Sequence, residues 1–197
     1  MDLQEFIKMH DYPGSIVLLE GKRTVLEEDK AYLTELAYQL VKNSKHIVFR
    51  SGNAGGSDEL FAEGVAKVDA KRMEVVIPYT GHRKKANQNY ATYALDELDV
   101  TAEPDLINYS LQNKGLKQQV QRYIEGKRDR FAIKAAYILR DTMKVLGNQE
   151  IPKATAALFY DDLTQPMTGG TGHTMLVCKE EGVPMFDQRE WMEWIKS

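Results

Sequence analysis

The 197-residue chain has one cysteine, Cys178, which excludes an internal disulfide, and its four histidines show no spacing that makes a metal site. No apolar run approaches the roughly 20 residues that a membrane-spanning helix requires. The opening Met1-Asp2-Leu3-Gln4-Glu5 lacks the basic and apolar regions of a signal peptide, so no membrane partner and a cytoplasmic, reducing location are expected. Two nucleotide motifs are also missing. No Lys-Ser/Thr follows a glycine turn as in a P-loop, and no Gly-x-Gly-x-x-Gly stands after a strand, which removes support for ATP hydrolysis and NAD-dependent hydride transfer. No nucleophile-base-acid set assembles from the sequence, and no cofactor is implied.

What is present is a globular composition, 43% hydrophobic and 28% charged, at a length that predicts one domain over residues 1–197 with a single sizeable core. Short apolar runs alternate with helical spacing. Ile16-Val17-Leu18-Leu19 reads as a buried strand, and Leu33, Leu36, Ala37, Leu40 and Val41 mark a helix over residues 26–42. Residues 46–50 and 73–78 are two further strands, with a helix between them whose expected N-cap is Ser57. Residues 84–125 read as an irregular, mainly helical insertion, with a helical hint at 93–98, followed by a strong helix over 127–146 stopped by Gly147. A fourth strand at 154–160, a helix at 173–181, a short strand at 183–186 and a closing amphipathic helix at 189–196 complete the pattern. Strands alternating with helices predict an α/β, Rossmann-like three-layer sandwich with a mostly parallel sheet, whose ligands collect at the carboxyl ends of the strands.

Two glycine-rich stretches fall on that edge: Ser51-Gly52-Asn53-Ala54-Gly55-Gly56-Ser57-Asp58 and Pro166-Met167-Thr168-Gly169-Gly170-Thr171-Gly172-His173-Thr174. Glycine permits close backbone approach, and the following helix offers unpaired N–H groups and a positive dipole end, which together suit a phosphate. In the first turn the expected cradle is the N–H groups near Gly55, Gly56 and Ser57 plus the Ser57 hydroxyl. Asp58 reads either as an acceptor for ribose hydroxyls or as a favourable charge in the helix's first turn. In the second, the Thr168, Thr171 and Thr174 hydroxyls surround Gly169, Gly170 and Gly172, and His173 at a helix start is pushed toward neutrality. Gly21 to Arg23 after the first strand lie on the same edge, where Lys22 and Arg23 are candidates for countering phosphate charge, or a surface loop. Asp161-Asp162 after the fourth strand could accept from a ribose or a base, with Asp162 the expected ligand contact, or could form an exposed turn. Cys178, mid-helix, reads as packing.

The net charge of −3 argues against wholesale coating of nucleic acid, but its distribution is uneven. Between residues 107 and 140 stand Lys114, Lys117, Arg122, Lys127, Arg128, Arg130, Lys134 and Arg140 against Glu125 and Asp129. This is either a solvated helical face or a phosphate-contacting or partner surface, with Tyr123, Phe131 and Tyr137 as its interleaved aromatics.

At these motifs the chain resembles the superfamily that joins the Rossmann domain of DNA-processing protein A, the LOG or lysine decarboxylase-like phosphoribohydrolases, and the molybdenum-cofactor carrier-like proteins. The resemblance covers most of residues 15–190. The first glycine turn resembles the Ser-Gly-x-Ala-x-Gly-x-Asp turn of the DNA-processing family, and Gly21-Lys22-Arg23 its Gly-Ser-Arg turn. The second is similar to the Pro-Gly-Gly-x-Gly-Thr turn of the phosphoribohydrolases, with Met167 and Thr168 intervening and His173 before Thr174. Arg140 corresponds by this resemblance to their catalytic arginine. The glutamate that those enzymes carry just inside the following helix is absent, the matching stretch being Met175-Leu176-Val177. Loss of one such electrostatic or acid-base contribution is commonly worth about 10²–10⁴-fold in rate.

The resemblance implies a nucleotide or nucleotide-derived ligand held by both glycine turns. One alternative is cleavage of a nucleoside 5′-monophosphate at its N-glycosidic bond, with Arg140 and a carboxylate such as Asp58, Asp161 or Asp162. A second is single-stranded DNA binding through residues 114–140. Related folds pair through their long helices, so a homodimer through the helix at 127–146 is also expected.

Overall fold

The apolar run Ile16-Val17-Leu18-Leu19 of β1 (Ile16–Gly21) and the whole of β5 (Ala156–Tyr160) are buried because helices cover both faces of the sheet they centre. The computed structural model describes residues 1–88, 90–113 and 115–196. Around the two central strands it places β2 (Val48–Ser51), β3 (Met73–Ile77), β4 (Ala91–Ala94) and β6 (Met185–Asp187), in the order β4-β3-β2-β1-β5-β6, every neighbouring pair parallel. Side chains alternate between two cores. Val17, Leu19, Ala156 and Leu158 enter one, whereas Leu18, Ala157 and Phe159 enter the other.

On the first face lie α1 (Leu3–His10), α2 (Lys30–Asn43), α3 (Ser57–Asp69) and α8 (Gln188–Lys196). The second face is covered by α4 (Pro104–Leu111), α5 (Lys117–Ile124), α6 (Ile133–Leu146) and α7 (Gly169–Glu180). The chain runs from β1 outward to β4 and then returns to lay β5 on the opposite side of β1. The loop leaving β1 therefore feeds α2 on one face and the loop leaving β5 feeds α7 on the other, which opens a crevice at the carboxyl ends of these two strands.

The three-layer α/β architecture agrees with the sequence reading, and the differences are local. α1 was not anticipated; Asp2 and Glu5 form a capping box at its start, and Phe6 packs 5.1 Å from the Trp194 ring. The segment 84–125, expected to be mainly helical, contains β4. Only Ala94 of that four-residue strand is buried, so the edge strand lacks an apolar signature and is fixed by pairing with β3. The expected helix at 127–146 starts at Ile133, because Asp129 turns back to accept the N–H groups of Phe131 and Ala132. The helix expected from His173 starts at Gly169, so the second glycine turn is itself the first turn of α7. The N-cap of α3 is Gly56, with Ser57 inside the helix.

The surface assigned to a homodimer is not available on α6. It packs against α4, α5 and α7, and its residues from Ala135 to Val145 are buried apart from Tyr137.

Candidate ligand-binding site

The crevice between β1 and β5 is a cavity of about 910 Å³. Its walls come from Gly21, Lys22 and Arg23 after β1, from Thr168 to Thr171 at the start of α7, and from Lys134, Tyr137 and Ile138 on α6. Glu20, Asp58, Arg140 and Asp141 also reach it, and α8 contributes Gln188, Arg189 and Lys196.

Much of the first glycine turn is bonded within the protein. Asp58 Oδ2 accepts the N–H groups of Gly52 (3.0 Å) and Ala54 (3.2 Å), while Arg140 Nη1 donates to the Gly52 carbonyl at 2.5 Å. Asn53, at φ 52°, donates from its side chain to the His82 carbonyl, and Ser51 Oγ accepts the Asn53 N–H. The expected donors of Ser57 are already engaged, since its N–H and its hydroxyl both bind the Lys22 carbonyl, at 3.1 and 2.6 Å. Gly56 has φ 80°, and a Cβ there would run into the Arg23 carbonyl. Gly55 has more room, facing Arg83 Nη1. Of the eight residues of this turn, Ala54 and Asp58 line the cavity.

The second turn divides between cavity and core. Thr168, Gly169, Gly170 and Thr171 line the cavity, where the first N–H groups of α7 have no intrahelical acceptor. Lys22 Nζ donates to both the carbonyl and the hydroxyl of Thr168, at 2.8 Å each, so the two walls meet at this contact. Gly172 packs against the Met167 carbonyl. His173 Nε2 pairs with Thr142 Oγ1 at 2.8 Å, and Thr142 also meets Ser110 Oγ at 2.9 Å. Thr174 Oγ1 donates to Glu20 Oε1 at 3.0 Å. The last three predicted residues of the turn therefore serve the buried interior. Burial lowers the pKa of His173, against a smaller opposing pull from Asp141.

The cavity floor carries charges inside the protein. Lys144 Nζ lies 2.5 Å from Glu20 Oε2 and 2.9 Å from Asp141 Oδ1, and Arg140 Nε lies 3.0 Å from the same Asp141 oxygen. Burial pushes the Glu20 carboxyl up to about 7; Lys144 pulls against this, whereas Asp141 and Asp58 reinforce it. Burial acts to lower both cations, but the surrounding carboxylates, Asp141 foremost, outweigh it and raise Lys144 and Arg140. Burial, then Arg140, Arg83 and Arg23, lowers His82 to about 4.

Asp161 and Asp162 separate in role. The Asp161 carboxylate is 2% exposed, accepts the Met167 N–H at 2.7 Å and lies 3.5 Å from Lys22 Nζ. Asp162 is exposed and caps the following turn through Thr164 and Gln165. Asp141 Oδ2 faces Gly170, close enough to crowd a Cβ placed there at 2.8 Å. A ligand anion is therefore better accommodated at the Thr168–Gly169 rim beside Lys22 than at Gly170, where it would meet a carboxylate.

The sequence reading did not identify Glu20, Tyr137, Asp141 or Lys144 as site residues. A signal existed for part of the set: Arg140, Asp141 and Lys144 interrupt an otherwise apolar helical face, a pattern that buries charge unless the charges are paired. In the basic segment, Lys117, Lys127, Arg128, Arg130 and Lys134 are exposed and Arg122 is half-buried. Arg140 belongs to the cavity floor, away from that surface, and Lys114 lies outside the described residues.

No family model matches the chain, and no curated protein matches it in sequence. Its fold is similar to a solved structure of DNA processing protein A from Helicobacter pylori, described for its single-stranded DNA binding mode. The identity is 16% and the TM-score 0.53, over 91% of this chain and 67% of that one. The likeness is one of fold. Among the described residues no helix is long and apolar enough to cross a membrane.

Proposed function

We propose that the chain binds a nucleotide or nucleotide-derived ligand in the cavity between β1 and β5. The observation that carries this reading is the meeting of Lys22 with Thr168 at the open N-terminus of α7. It combines a cation, a helix dipole and unpaired backbone N–H groups at one rim of a cavity of nucleotide size. The phosphate sits at the Thr168–Gly169 rim, with Arg23 beside it. Asp58 Oδ1, buried and without a hydrogen-bond donor among the described residues, and Asp162 are the ribose acceptors. The first glycine turn acts chiefly by shaping the wall, as the N–H groups of Gly52, Asn53, Ala54 and Ser57 already serve the protein.

Thermal unfolding against nucleoside mono-, di- and cyclic phosphates tests the reading. A ligand at 100 times its Kd adds about 2.7 kcal/mol of stability. Arg23→Ala, at an exposed position, weakens that ligand by about tenfold. Absence of a shift with every nucleotide at millimolar concentration refutes the proposal.

Single-stranded DNA binding is the second reading, supported by the fold likeness and by the exposed cations of residues 117–134. Its signature is an affinity that falls steeply with salt. N-glycosidic cleavage requires a carboxylate beside the ribose. Glu20 and Asp141 on the cavity floor now join Asp58 as candidates, and release of free base from a bound nucleotide is the assay.

A further inference from the structure

Beside the cavity lies a second groove of about 520 Å³, formed by Gln118 and Arg122 of α5, the Asp129-Arg130-Phe131 turn and Lys134 of α6. Lys134 lines both, so the two depressions meet at one side chain. Along α6 the spacing of Lys134, Tyr137 and Asp141 places an exposed cation, a half-buried ring and a buried carboxylate on one stripe, leading from the groove to the cavity floor.

The groove is cationic and carries an exposed ring. Asp129 is its carboxylate, and it is engaged by Arg122 and by the Phe131 and Ala132 N–H groups. Arg130 and Lys134 are exposed and form no ion pair among the described residues. The positive end of the α6 dipole points the same way. Phe131 is 44% exposed, with the Arg122 guanidinium 5.8 Å from its ring centroid. An aromatic face flanked by unpaired cations fits a base stacked on the ring with its phosphate on the neighbouring charges.

We infer that the cavity and this groove form one continuous surface across Lys134 for a ligand of at least two nucleotide units, the first in the cavity and the second stacked on Phe131. This rests on the nucleotide reading above. A free dinucleotide and two consecutive residues of a single strand share the required chemistry.

The test compares three probes on the intact chain by calorimetric titration: the mononucleotide that best stabilises the protein, its dinucleotide, and a single-stranded 12-mer, an arbitrary length of about 12 residues chosen to exceed the site. The dinucleotide is expected to bind at least about tenfold more tightly than the mononucleotide. Phe131→Ala is expected to weaken the dinucleotide by about 5- to 150-fold, the range measured for loss of one stacked base, while the mononucleotide keeps its affinity. Lys134→Ala is expected to weaken the dinucleotide and reduce the salt slope by about 0.7. A 12-mer equal to the dinucleotide identifies a two-unit ligand, and a tighter 12-mer identifies a strand; both support the inference.

Equal mononucleotide and dinucleotide affinities overturn the inference and leave the nucleotide reading standing. If neither binds, the nucleotide reading itself fails. Strand binding that depends on Phe131 but not on Arg23 overturns the continuity of the two sites. Competition by polyglutamate as strong as that by the 12-mer overturns it in favour of an acidic protein partner.

Discussion

Lys144 Nζ stands 2.5 Å from Glu20 Oε2, joining the last turn of α6 to the carboxyl end of β1 beneath the cavity. The same ammonium reaches Asp141, and Glu20 accepts a hydrogen bond from Thr174 of α7. One buried pair thus fixes the relative positions of the central strand and the two helices that wall the site.

Glu20 gives this pair a pH signature. Its folded pKa of about 7 lies above the ordinary glutamate value, so the folded state binds its proton more tightly than the unfolded chain does. The stability it contributes is fully present below the unfolded pKa and is lost as the pH rises through about 7. His10, His82 and His173, all lowered, act in the opposite sense over part of that window. The measurement is therefore a difference: the unfolding free energy of the wild type minus that of Glu20→Gln should decline from about pH 5 to about pH 8. A flat difference contradicts the assignment.

Arg140→Met should destabilise the fold by about 3–5 kcal/mol in urea unfolding, because it strips a cation from Asp141 and a donor from the Gly52 carbonyl inside the protein. Arg140→Lys keeps the charge but loses the fork, and should recover only part of the loss.

The two adjacent glycines of the first turn should respond differently. Gly56→Ala meets the Arg23 carbonyl at a positive φ and is expected to cost more than about 1 kcal/mol, with distortion of the loop that carries Lys22. Gly55→Ala faces only the end of the Arg83 side chain, so its unfolding midpoint should stay close to wild type.

His173→Phe should cost about 1–3 kcal/mol by leaving the buried Thr142 hydroxyl with one fewer partner, and should leave ligand affinity unchanged. A large loss of affinity without loss of stability would instead return His173 to the site, as its sequence position suggested.

The glycine turns were legible as lying at the carboxyl edge of the sheet because a strand-turn-helix unit announces itself locally. Their division of labour was not. Whether Ser57 donates to a ligand or to the Lys22 carbonyl depends on a loop 35 residues away. Whether Gly52 faces a phosphate or Arg140 depends on a helix 88 residues away. Lys22 was singled out as a phosphate counter-charge, and its position against Thr168 suits that role, but the contact spans 146 residues and no local pattern encodes it. β4 escaped for a different reason: an edge strand with one buried residue has no apolar period to read.

The pairing of β1 with β5 also governs how the chain is made. Ser15 and Thr155, hydrogen-bonded at 3.0 Å where the two strands begin, are 140 residues apart in sequence. At about 5–20 residues per second, a ribosome needs on the order of ten seconds to supply β5 after β1 has emerged. During that interval the nascent sheet of β1 to β4 carries β1, with its run Ile16-Val17-Leu18-Leu19, as an open edge, a template for pairing with other chains. The arrival of β5 closes that edge and completes the cavity in the same step, so the chain acquires its crevice and its protection from aggregation together.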